Sequence, residues 1–304
     1  MDVFSGLIPV FLVLALGILA RALRLLDEAS AQGLNRVVAN IALPALLVLK
    51  IGTSSLAASF SGPVVGVSTG LIVVTAIAGL AVARLWGLPG PQAGVLSQAM
   101  MRGNLVYLAF PVILAAGGDG ALRQAAVTAA VLIPVMNLLA VVVLEVGRGE
   151  SAFDLTLARR VVLNPLVLGA LAGMALAAVR WQPWPWLEGT LSTVADFALP
   201  GALLALGAQL RLGHWARVWK PTAAVTVVKL VLQPAAAWWL LRALGVHGQG
   251  LLVATLLLAA PTAVASYPVA VELGGDRALA GASVLVTTVA AFATMVVWTL
   301  VLKG

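Results

Sequence analysis

The segment "VANIALP", residues 38–44, returns almost unchanged as "VADFALP", residues 194–200, and the two copies lie 156 positions apart. The neighbouring runs repeat at the same offset: "IPVFLVLALG" (8–17) aligns with "NPLVLGALAG" (164–173), pairing Pro9 with Pro165 and Gly17 with Gly173. Further along, Pro63, Arg84, Gly87 and Gly90 pair with Pro221, Arg242, Gly245 and Gly248 at an offset of 158. At 157, Asn104, Pro111, Gly117, Gly118 and Asp119 pair with Pro261, Pro268, Gly274, Gly275 and Asp276. The small drifts in offset fall in loops. Matched apolar residues are cheap in a chain of this kind, but matched prolines, glycines and aspartates mark an internal repeat.

Each half is built for a bilayer. The chain has 304 residues, of which 62% are hydrophobic and 10% charged, whereas soluble domains carry about 25% charged residues. A helix needs about 20 apolar residues to span the hydrocarbon. Windows of that length predict ten spans, near 4–24, 34–51, 62–86, 92–116, 121–146, 161–180, 189–210, 220–242, 248–273 and 278–302. Residues 1–147 form the first five-helix repeat and 161–304 the second, joined by a cytoplasmic loop at 148–160. An odd number of spans per half inserts the second copy upside down, so the expected fold is all-α with two inverted repeats.

Basic residues set the orientation. One side collects Arg21, Arg24, Arg36, Arg84, Arg148, Arg159, Arg160, Arg211, Arg217, Lys220 and Arg277; the other has Lys50, Arg123, Arg180, Arg242 and Lys303. The first side is therefore cytoplasmic, and both termini face outside. The N-terminal segment carries Asp2 and no Lys or Arg before its apolar run, which is not a cleavable signal. The net charge of +7 is spread singly or in threes, with no basic tract or aromatic-interleaved patch for nucleic acid. With no cysteine and only His214 and His247, both in expected loops, the sequence offers no metal cluster and implies no cofactor. The motifs of intramembrane proteases are missing, which argues against an enzyme.

The stretches "QAMMRGNLVYLAFPVILAAGGDG" (98–120) and "LLLAAPTAVASYPVAVELGGDRA" (256–278) do not read as simple spans. Proline removes a backbone donor and clashes one turn back, so Pro111, Pro261 and Pro268 predict broken helices near mid-membrane. Backbone freed there must line a cavity or bind something, and a half-helix N-terminus suits an anion. Each "GGD" reads as a helix stop and turn.

These motifs, "GNLVYLAFP", "PTAVASY" with "GGD", and "ANIALPALL", resemble the auxin efflux carrier family over essentially the whole chain. The resemblance implies the fold shared with bile-acid transporters and sodium/proton antiporters. It has a scaffold of spans 1, 2, 6 and 7, a transport domain of spans 3–5 and 8–10, and broken spans 4 and 9 that cross. It further implies a permease of the plasma (inner) membrane, working by an elevator-type mechanism on a small organic anion, an auxin-like acid or a dicarboxylate, and a homodimer through scaffold helices. The substrate site falls around Asn104, Pro111, Pro261, Thr262 and Ser266. Plant members carry proline where this chain has Gly103 and Ser266, which argues against auxin itself. A transporter-derived receptor that binds the anion without coupled transport is the alternative.

Other polar residues in spans have two readings each. Arg102 either binds a substrate carboxylate or snorkels to the headgroups. Tyr107 and Tyr267 line or gate the cavity, or pack its wall. Asp196, an intramembrane carboxylate, is a candidate for H+ or Na+ coupling, and Lys229 pairs with it, or with substrate. Asn137 and Thr128 either supply oxygens to sodium or serve as interhelical hydrogen-bonding residues.

Overall fold

A computed structural model describes residues 3–55, 59–149, 163–210 and 217–303. The expected connecting loop at 148–160 lies almost wholly outside the described residues, as does His214. Among the described residues the chain is helical throughout, with no strand beyond one isolated bridge. The first half contains α1 (Val3–Ala22), α2 (Glu28–Gly52), α3 (Gly62–Leu85), α4 (Gly90–Met101) and α5 (Leu105–Arg148). The second contains α6 (Pro165–Ala178), α7 (Pro185–Gln209), α8 (Trp219–Ala243), α9 (Gly248–Leu258), α10 (Ser266–Glu272) and α11 (Arg277–Lys303). Six of these, α2, α3, α5, α7, α8 and α11, are long and apolar enough to cross a membrane. The protein is a multi-pass integral membrane protein.

Local chemistry sets the helix ends. Asp27 caps α2 by accepting the Ser30 N–H at 2.7 Å, and that bond holds its carboxyl below the usual carboxylate range. Asn164 caps α6 through Leu166 N–H, and Asp276 caps α11 through Leu279 N–H. At the matched C-termini of α3 and α8, Gly87 (φ 62) and Gly245 (φ 75) adopt the left-handed conformation. In both, the next residue donates back into the helix, Leu88 to Ala83 O and Val246 to Leu241 O. The "GGD" stretches also stop helices: Gly118 (φ 72, ψ −169) breaks α5, and Gly274 (φ 67) follows α10.

Intrahelical prolines act differently from the expected breaks. A wide π-turn occupies Val38–Ala42, Leu105–Ala109 and Val228–Leu232, each ending two residues before a proline, Pro44, Pro111 and Pro234. Proline cannot donate to the carbonyl four residues back, so the preceding turn widens and the helix continues. Pro9, Pro134 and Pro200 are likewise carried inside helices. Pro268 sits in the first turn of α10, where a missing N–H costs nothing.

Helix pairing follows the repeat. Gly17 of α1 lies against α7, where an added Cβ would stand 2.4 Å from Leu204 O and 3.1 Å from Gly207 Cα. Its mate Gly173 lies against α2, where a Cβ would meet Ile51 Cβ at 2.9 Å and Leu47 O at 3.0 Å. Positions 51 and 207 are themselves mates at the 156-residue offset. Each half thus supplies the small residue that lets the other half's helix approach, the close backbone contact that membrane helices use in place of hydrophobic attraction.

Candidate functional site

Two helix interruptions meet inside the molecule. The first separates α4 from α5 at Arg102–Asn104, with Arg102 extended (φ −89, ψ 100); the second separates α9 from α10 at 259–265. They pair with each other: Asn104 N–H donates to Pro261 O at 2.7 Å, and Ala263 N–H donates to Arg102 O at 3.0 Å. Gly103 and Thr262 form the antiparallel bridge between these bonds. Backbone groups freed by one break are satisfied by the other, as burial requires. Thr262 fixes the arrangement further, its N–H bonding Thr287 Oγ1 at 3.0 Å and its hydroxyl bonding Ala99 O at 2.9 Å.

Two cations are packed around this pairing. Arg102 is buried and does not line the cavity described below; its Nη2 donates to Asn137 Oδ1 at 2.7 Å, and its Nη1 reaches Ala265 O at 3.4 Å. Lys229, 1% exposed, donates from Nζ to Gln233 Oε1 at 2.7 Å and reaches Leu258 O, at the end of α9, at 3.4 Å. A Cβ on Gly103 would stand 3.1 Å from that Nζ, so glycine leaves room for the ammonium beside the break. Carbonyls at a helix C-terminus favour a cation. Both side chains are held by neutral oxygens, with the Arg102 guanidinium placing positive charge at the site.

A cavity of about 1150 Å³ opens beside the breaks. Asn104, Tyr107, Ala263, Ala265 and Tyr267 line it beside the breaks, with Asn35 and Asn40 of α2 and Leu206 of α7. Its mouth carries Arg21 at the end of α1, Glu28 and Arg36 of α2, Asn164, Gln209 and Arg277, all at one end of the helix bundle. Tyr107 donates its hydroxyl to Asn35 Oδ1 at 2.8 Å. Asn104 is 5% exposed, and its Nδ2 has no hydrogen-bond partner among the described residues. A buried donor without a partner costs about 1–3 kcal/mol, and this one stands at the N-terminal end of α5 on the cavity lining.

The structure gathers Arg102, Asn104, Asn137, Pro261, Thr262 and Ser266 around the two breaks, with Tyr107 and Tyr267 on the cavity. Ser266 is buried, its hydroxyl without a partner among the described residues. Pro111 lies one turn into α5, buried, beyond the break rather than at it. Of the ion-coupling candidates, Asn137 and Lys229 stand at the breaks, whereas Thr128 and Asp196 do not join them. Thr128 donates to Gln124 O within α5, Asn137 Oδ1 is taken by Arg102, and Asp196 lies exposed on α7 while Lys229 bonds Gln233. Asn35, Asn164, Gln209 and Arg277 on the cavity were not among the expected site residues; the Asn-Pro start of α6, a helix-cap signature, was the signal available for Asn164.

Residues 2–152 and 151–299 match the model of a family described as membrane transport protein, in two adjoining segments. The chain belongs to this family. It is the auxin efflux carrier family that the sequence motifs resemble, and the protein is a transporter rather than an enzyme. Over 310 residues the transporter is 24% identical to a Methanothermobacter thermautotrophicus protein named "Uncharacterized transporter", covering 97% of each chain. Over 142 residues it is 30% identical to a Rhizobium meliloti protein named "Putative malonate transporter", covering 46% of this chain and 44% of that one.

Proposed function

We propose that this transporter is a secondary active carrier of a small organic anion, a carboxylate of malonate size, and that Asn104 binds the carboxylate. The observation that carries the reading is the buried Asn104 Nδ2, without a partner among the described residues, on a large cavity at the start of α5, beside Arg102 and Lys229, which have no carboxylate partner among those residues. An amide donor and a helix N-terminus are the chemistry a carboxylate accepts. Arg102 acts at short range as fixed positive charge, raising the anion's affinity without touching it. Arg36 and Arg277 at the mouth draw the anion in. The name of the Rhizobium meliloti relative supports a dicarboxylate as the first substrate to test.

The transport cycle we assign is an elevator movement of α3–α5 and α8–α11 against a scaffold of α1, α2, α6 and α7. The exchanged contacts of Gly17 and Gly173, and breaks that pair at mated positions, support an inverted repeat able to occupy two related states. The excess of basic residues on the cavity side makes that side cytoplasmic and both termini external, in the inner membrane, with the chain a homodimer through scaffold helices. Isothermal titration of purified protein with malonate, succinate and monocarboxylates tests the reading. Saturable binding that Asn104→Ala weakens supports it, and carboxylate binding untouched by that change overturns it.

A further inference from the structure

The repeat relates the open cavity to a closed place on the opposite end of the molecule. Lys50, at the end of α2, bonds Asp119, just beyond the Gly118 break, at 2.7 Å. Shifted by the repeat offsets, those two positions are Leu206 and Asp276, and Leu206 lines the open cavity together with Arg277, the neighbour of Asp276. The same pair of elements is thus parted at one end of the molecule and tied at the other. The linings correspond as well: Ala282 of α11 lines the cavity, while its mate Ala125 of α5, at the 157-residue offset, is fully buried.

We infer that the Lys50–Asp119 ion pair is the lock on a second vestibule, closed in this state, which α5 lines around Ala125 when the pair opens. Lys50 belongs to the scaffold and Asp119 to the moving unit, so the bond has to break for the two to slide. Its strength suits a latch. Asp119 is 61% and Lys50 21% exposed, and water-exposed pairs contribute little enough to open readily. Membrane-buried pairs would hold too firmly to be released by substrate alone. An inverted repeat exchanges the conformations of its halves, so the exchanged state packs α7 against the turn before α11, where Leu206 offers no ion pair, and opens α2 from the turn after Gly118.

This rests on the two-state carrier reading, and it is testable without any anion. The chain has no cysteine, so Ala125→Cys and Ala282→Cys, each made alone, report the two vestibules by their rate of reaction with a hydrophilic maleimide in detergent. Asp119→Asn is expected to raise labelling at position 125 and lower it at 282 by about two- to fivefold, the population change an exposed ion pair of this strength produces. The exchange of Lys50→Asp with Asp119→Lys is expected to restore both rates. Gln124→Cys, mate of Gly281, replaces Ala125→Cys if that variant misfolds. Rates unchanged by Asp119→Asn, or unrestored by the charge exchange, overturn the lock. Absence of carboxylate binding overturns the substrate reading and leaves these rates meaningful.

Discussion

Asn104 and Thr262 sit one residue apart across the paired breaks and do different work. Thr262 is fully satisfied: its hydroxyl bonds Ala99 O and its N–H bonds Thr287. Thr262→Val keeps the shape and leaves Ala99 O buried without its donor, so thermal unfolding in detergent is expected to show a loss of about 1–3 kcal/mol. Asn104 has a donor to spare. Asn104→Ala is expected to leave the melting temperature nearly unchanged while weakening carboxylate affinity by about 1–3 kcal/mol in titration calorimetry. The reverse pattern, a large melting loss with affinity intact, would make Asn104 structural. The residue type was visible in "RGNLVY" from the start, because an asparagine within an apolar span needs a partner. That Arg102 turns away from the cavity onto Asn137 was not visible, since it depends on α4 and α5 lying side by side.

At the scale of elements, prolines and glycines were the most legible signals and also the most misleading. Both "GGD" stretches stop helices as their chemistry requires. Of the three prolines expected at breaks, Pro261 lies within one, whereas Pro111 and Pro268 lie inside helices. Pro44, Pro111 and Pro234 are absorbed by π-turns, and the interruptions fall at Arg102–Asn104 and 259–265, where the two segments exchange backbone hydrogen bonds. In "LLLAAPTAVA" Pro261 marks the second break, but nothing local in "MMRGNLV" marks the first, whose backbone is satisfied by a partner 157 residues away. Helix contacts give a sharper test. A Cβ on Gly207 would stand 2.1 Å from Leu14 O, whereas one on Gly33, in the exposed first turns of α2, meets nothing within 4 Å. Gly207→Ala is expected to push α1 from α7 and lower stability by about 1–3 kcal/mol. Gly33→Ala is expected to be neutral or stabilising by up to about 1 kcal/mol. Equal melting temperatures for the two variants would remove the α1–α7 contact from the account.

The whole molecule brings together what the sequence could state only as spacing. Matched positions 156–158 apart become exchanged helix contacts, a pair of facing breaks and one open cavity. Cavity geometry was out of reach of the sequence because Asn35, Gln209 and Arg277 converge only after three separate helix ends are packed. The proposed orientation, with the basic cavity side cytoplasmic, is tested by a reporter that works only in the cytoplasm, fused after Gly304, which is expected to be inactive. An active fusion would invert the orientation and leave the fold unaffected. The central claim, that the cavity at the paired breaks carries a small carboxylate across the membrane, is tested most directly by counterflow in proteoliposomes. Vesicles loaded with unlabelled malonate, succinate or a monocarboxylate are offered the same labelled acid outside. The account predicts transient accumulation for at least one of these acids with the wild-type transporter and its loss at the same concentration with Asn104→Ala. No accumulation of any of them by correctly folded wild-type protein, or equal accumulation by the variant, would contradict it.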